Sequence, residues 1–221
     1  MLIAAIETSG EWCSAALWLD GEIVSLERRA GQRHSELALP LLQRLLEQRR
    51  LKMENLEAIA FGAGPGSFTG LRIACGIAQG LAFARGLPVA GVSSFEALAE
   101  EAGADRVVAC IDARMREVYY AALEKRGGGW KEVVAGRCVP PGEAPEPPGE
   151  GWVACGSGLA AYPDFLQNKP MRKLPQVHPT AWAVARLAGP RLEAGEGVDA
   201  SRAAPVYVRD KVALTMDEQL R

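Results

Sequence analysis

Short apolar runs alternate with glycine-rich turns along the chain, and the period within each run distinguishes the elements. Residues 2–6 are apolar without a break, as in a strand buried on both faces. Residues 12–19 and 22–29 flank Asp20-Gly21, a two-residue hairpin signal. Because Thr8-Ser9-Gly10 and Asp20-Gly21 are too short for crossovers, the second strand should run antiparallel to both neighbours. A helix follows over 35–50, where Leu37, Leu41, Leu42, Leu45 and Leu46 form one stripe at i, i+4, i+5, i+8 and i+9. Next come a strand at 56–61, a glycine-rich loop, a helix at 71–85, a strand at 88–92 and a helix at 94–102 capped by Ser93 or Ser94.

After Gly103 the pattern restarts. Strands are predicted at 106–111, 118–124 and 131–139, the last two joined through Gly127-Gly128-Gly129. The stretch 140–151, PPGEAPEPPGEG, reads as an irregular exposed connection. A strand at 152–155 and helices at 159–166 and 180–188, the second capped by Thr180, complete the series. Each half opens with a strand ending in an acid, Ile6-Glu7 and Ile111-Asp112, and later runs an apolar strand into a glycine turn and a helix. The fold class expected is therefore α/β, a duplicated βββαβα domain with a cleft between copies, divided into residues 1–103 and 104–204.

The segment 61–88 is unusual in both of its parts. Its loop places Gly62, Gly64, Pro65, Gly66 and Gly70 around Ser67 and Thr69, a form that can present backbone N–H groups to an anion. It lacks the Lys-Ser/Thr ending of a P-loop, so the preferred reading is a tight turn beneath a close-packed helix. Glu7, Thr8, Ser9, Gly64, Gly66 and Ser67 are kept as candidate nucleotide or anion contacts. In the helix only Arg72, Gln79 and Arg85 are polar, so it should be covered on both sides. Ala74, Ala78 and Ala82 form a small-residue ridge with Gly76 and Gly80 in an adjacent row, which permits close helix–helix approach. Periodicity does not separate a partner-facing helix from a central core helix. The candidate association face comprises His34, Leu37, Leu41 and Leu45 of the first helix with Arg72, Ala74, Gly76, Ala78, Gly80 and Ala82 of the second.

Composition narrows the function. Of 221 residues, 48% are hydrophobic and 24% charged, with a net charge of −2, which is ordinary for a globular chain and gives no basic footprint for nucleic acid. No signal-peptide pattern or bilayer-length apolar run occurs, and the five cysteines, an odd number without C-x-x-C spacing, fit reduced thiols in a cytoplasmic protein. His34 and His178 are the only histidines and are far apart, which argues against a histidine metal site or a two-histidine relay. Ser9 and Ser67 have no identifiable base and none of the five cysteines sits near a histidine, which argues against a peptidase. The enzymatic alternative is a magnesium-nucleotide-dependent phosphotransferase or hydrolase using Glu7 and Asp112 at the cleft; the bland competitor is that the two acids cap turns or pair with Arg114 or Arg116.

Several motifs occur in a familiar order: Ile6-Glu7-Thr8-Ser9, Arg33-His34-Ser35-Glu36, Gly64-Pro65-Gly66-Ser67-Phe68-Thr69-Gly70-Leu71-Arg72-Ile73, Gly91-Val92-Ser93-Ser94, Ile111-Asp112-Ala113-Arg114 and Pro205-Val206-Tyr207-Val208-Arg209. Together they resemble the TsaB (YeaZ) family over nearly the whole chain, although Glu7-Thr8 stands where many members carry Asp-Thr. The resemblance implies the actin/hsp70/sugar-kinase-like (ASKHA) fold, with residues 205–221 returning to pack on the first domain. It also implies a non-catalytic scaffold and dimerisation subunit for N6-threonylcarbamoyladenosine formation in tRNA. The partners it implies are a TsaD-like catalytic subunit, which carries a metal-binding His-x-x-x-His absent here, and a TsaE-like ATPase. Such a chain needs no cofactor of its own, with ATP or ADP and a metal on the partner subunits. A homodimer is expected in isolation, and tRNA contact is expected only through the complex.

Overall fold

The computed structural model describes residues 1–167 and 169–209, which form two sheets of the same topology. In the first, β1 (Leu2–Glu7) pairs antiparallel with β2 (Trp12–Leu19), which pairs antiparallel with β3 (Glu22–Arg29). On its other side β1 pairs parallel with β4 (Ala58–Gly64), and β4 with β5 (Val89–Ser93). The second sheet repeats this order. Its central strand β6 (Arg106–Arg114) has antiparallel β7 (Glu117–Arg126) and then β8 (Gly129–Val139) on one side. Parallel β9 (Val153–Cys155) and β10 (Arg172–Leu174) lie on the other. The duplicated α/β fold expected from the sequence is the fold observed.

Alternation along β1 sorts its side chains between two layers. Leu2, Ala4 and Ile6 meet α1 (His34–Gln48) and α2 (Phe68–Phe83), whereas Ile3 and Ala5 meet α5 (Ala181–Glu193). In β6, Val107, Ala109 and Ile111 pack on α3 (Ser94–Ala102), and Val108 and Cys110 pack toward α4 (Ser157–Ala161). The small residues of α5 let it lie close to the sheet. Gly189 sits against the Trp18 ring, where a Cβ would come within 2.6 Å, and Trp18 Nε1 donates to Glu193 Oε1 at 3.0 Å.

Helix packing crosses the boundary expected at residue 103. α3, from the first half, covers the second sheet, and α5, from the second half, covers the first, so 1–103 and 104–204 are not separate packing units. Other differences are local. β4 continues through Gly64 because its glycines still pair with β5, Gly62 opposite Val92 and Gly64 opposite Ser93. α5 extends to Glu193, past Gly189 and Pro190, because Gly189 makes room for Trp18. α4 is shorter than expected, and β10 has only three residues, Arg172, Lys173 and Leu174, too few for a periodic signal. Val206 N donates to Ala63 O at 2.7 Å, which ties the C-terminal segment to β4; of the expected returning segment 205–221, residues 210–221 lie outside those described.

Candidate functional site

The glycine loop is built by backbone approaching backbone. Ser67 N donates to Ser9 O at 2.7 Å, and Thr8 Oγ1 donates to Gly70 O at 2.7 Å. A Cβ on Gly66 would lie 2.6 Å from Ser9 O, and one on Gly70 would lie 1.9 Å from Thr8 O. Gly64, at φ +116°, would bring a Cβ within 2.7 Å of Val206 O. These glycines therefore seat the loop on the Thr8–Ser9 turn and let the C-terminal segment pass. Ser67 Oγ accepts from Gly70 N at 3.4 Å and caps α2. Thr8 and Ser9 are buried and Ser67 is exposed, so only part of the candidate anion set reaches solvent.

Glu7 does not reach solvent. Its carboxyl folds under Gly62, where a Cβ would fall 1.7 Å from Oε2, and it is 1% exposed. Oε1 accepts from Ser9 N, while Oε2 has no hydrogen-bond partner. Burial pushes the carboxyl pKa upward, partly opposed by the Ser9 hydrogen bonds. The sequence expectation of a strand-end carboxylate in the cleft is thus corrected: this group is enclosed. Asp112 does line the cleft, but its Oδ2 pairs with Arg114 at 3.1 Å and its Oδ1 accepts from Arg114 N at 2.8 Å.

The cleft between the sheets has a volume of about 1180 Å³ and runs from Ser9, Trp12 and Thr69 on one wall to Asp112, Tyr119 and Ser157 on the other. Among the described residues no three His, Cys, Asp or Glu side chains are placed to hold a metal ion. Burial pushes the thiols of Cys13 and Cys155 up to about 12. His34 is buried, and its Nε2 lies 2.9 Å from Gly10 O, tying the start of α1 to the turn after β1.

Residues 26–213 match the family described as TsaD, tRNA N6-adenosine threonylcarbamoyltransferase. The chain is 38% identical to the tRNA threonylcarbamoyladenosine biosynthesis protein TsaB of Escherichia coli, over 96% of each chain. The chain belongs to the TsaB (YeaZ) family. It is 34% identical to the Haemophilus influenzae TsaB over 96% of this chain and 95% of that one. The solved structure of YeaZ from Pseudomonas aeruginosa is similar at a TM-score of 0.87 and 37% identity, covering 93% of this chain and 99% of that one.

For this TsaB-family chain, the residues expected at an association face divide between core and surface. Leu41, Leu45, Ala74, Ala78 and Ala82 are buried against the first sheet, and His34 is buried beside them; they cannot present a surface to another protein. The alanine ridge belongs to the core. Arg72, Gly76 and Gly80 face outward, with open space where either glycine Cβ would stand, and Leu37 is half-buried. Two residues that the sequence pattern did not single out are also exposed. Phe68 lies four residues before Arg72, in register with Gly76 and Gly80, and is 43% exposed; Leu39 of α1 is 41% exposed. Phe83, at the far end of α2, is 81% exposed. An i, i+4 row running from Phe68 through both glycines was the available signal. Among the described residues, no helix is long and apolar enough to cross a membrane.

Proposed function

We propose that this chain acts in tRNA threonylcarbamoyladenosine biosynthesis as a non-catalytic scaffold subunit that docks a TsaD-like catalytic subunit. The observation that carries the reading is the outer face of α2. Phe68 and Phe83 are exposed at its two ends, and Gly76 and Gly80 leave a smooth track between them. A lone glycine inside a helix costs up to about 1 kcal/mol relative to alanine, so two with nothing above them fit a surface against which another helix closes. In the absence of the partner the same face would join two copies. A TsaE-like ATPase would bind the assembled pair, ATP or ADP and a metal would sit on those subunits, and tRNA would meet this one only within the complex. The cytoplasm is the compartment proposed. The nucleotide-enzyme alternative loses support from Glu7, whose carboxyl is enclosed and favoured in its neutral form.

Co-purification with a TsaD-like protein, followed by sizing, tests the pairing. Gly76→Arg places charge and bulk on the track without entering the core. It should leave the fold intact and weaken partner binding by at least about a hundredfold. A folded Gly76→Arg chain that binds the partner at wild-type affinity would remove α2 from the interface. Calorimetric detection of tight magnesium-nucleotide binding by the isolated chain would instead favour the enzymatic alternative.

A further inference from the structure

We propose that residues 203–209 form a latch across the interlobe cleft, coupling the first turn of α2 to the β6–β7 hairpin. On the first lobe, Gln79 Nε2 donates to Ala203 O at 2.9 Å and Val206 N donates to Ala63 O at 2.7 Å. The Tyr207 ring then lies 5.6 Å from that of Phe68. Arg72 joins the pair, with its guanidinium 3.8 Å over the Phe68 ring and its Nε donating to Tyr207 Oη at 3.3 Å. Two residues on, the chain is anchored to the second lobe. Arg209 Nη2 donates to Ala113 O at 3.0 Å and to Glu117 Oε2 at 2.6 Å, with the Arg114 carbonyl at 3.4 Å. Val208 packs against the core between α3 and the second sheet.

The two anchors sit on one short piece of chain. Three residue steps reach at most about 11 Å, so neither end can shift far while the other holds. The hairpin that Arg209 grips is itself unusual. Arg114, Met115 and Arg116 hold φ values of 60°, 53° and 62°, a left-handed run that residues with side chains seldom adopt. Arg209 meets the carbonyls at the start of this turn with a fixed positive charge, so the latch stabilises the conformation it grips. Val206, Tyr207, Val208 and Arg209 all line the cleft, beside the glycine loop on one wall and Asp112 on the other. Because α3 and α5 stay packed between the sheets, release would open the cleft about that layer rather than separate the lobes. The latch contacts lie within one chain, although Phe68 and Arg72 also belong to the α2 face proposed above to meet the partner.

Hydrogen exchange on the isolated full-length chain tests the coupling. Tyr207 is 48% exposed, so Tyr207→Ala should fold normally and weaken only the first-lobe anchor, removing its contacts with Phe68 and Arg72 while the Ala203 and Val206 main-chain bonds remain. Exchange is expected to quicken by about tenfold or more at 63–70 and also at 113–117, with β1 protection unchanged. Arg209→Gln should reproduce both effects from the opposite end. Exchange at the far anchor that stays at the wild-type rate in either variant, or rises only together with β1, overturns the latch.

Discussion

At the scale of single residues, the first turn of the chain is constrained by contacts that leave no spare volume. Gly70 stands where a Cβ would lie 1.9 Å from the Thr8 carbonyl oxygen, a backbone atom that cannot move aside as a side chain would. Gly70→Ala should therefore cost about 1–3 kcal/mol, read as a lowered denaturant midpoint at unchanged slope. Glu7 makes a different prediction. Its pKa is raised in the folded chain by burial, so folding favours the protonated carboxyl. Below the ordinary carboxylate pKa both states are protonated and the group costs nothing. As pH rises toward the folded-state pKa, only the unfolded chain releases the proton, and stability falls. Glu7→Gln keeps the acceptor for Ser9 N and removes the ionisation. Its melting temperature should exceed that of the wild type at pH 8 by more than at pH 4, and a difference independent of pH would show that the enclosed carboxyl is not the titrating group.

At the scale of an element, α2 shows both how far the sequence could be read and where reading stopped. Its existence and its nearly all-apolar composition were legible, because glycine punctuation and hydrophobic runs act locally, but it starts at Phe68, three residues before the expected 71, on a Ser67 cap that the pattern did not single out. Which apolar row faces the sheet was not legible either. Ala74-Ala78-Ala82 and Gly76-Gly80 have the same spacing, and only the position of β4 and the neighbouring α1 decides which one is covered. Glu7 was misplaced for a related reason: a strand-end acid normally points into the cleft, and the missing side chain of Gly62 is what lets it fold inward. The outward glycines allow a direct test. In open space and helical geometry, Gly76→Ala and Gly80→Ala should each stabilise the monomer by about 0.5–1 kcal/mol. If a helix closes over this track, the double variant should nevertheless weaken self-association and partner binding, seen by sedimentation. Stabilisation without any loss of association would mean that the glycines serve no contact.

Across the whole molecule, the exchange of helices between lobes governs how the chain can fold. Sequence order suggested two consecutive βββαβα units, and the two five-stranded sheets do share one strand order. Yet the face of the first sheet formed by Ile3, Ala5, Ala16 and Trp18 is covered by α5, which begins almost eighty residues after the nominal boundary at 103. No local pattern can report such packing, since an amphipathic helix carries no label for the sheet it will cover. The consequence is energetic. A fragment ending at residue 103 would expose that apolar face together with Phe95 and Leu98 of α3, whose cover lies on β6. It should fail to give dispersed amide resonances and should aggregate, whereas the full chain should unfold in one transition with coincident near- and far-ultraviolet signals. Gly189→Val probes the same junction inside the full chain, because its Cβ would be driven within 2.6 Å of the Trp18 ring. That substitution should loosen both lobes together, whereas independent lobes would leave the protection of β6 unchanged while that of β1 fell.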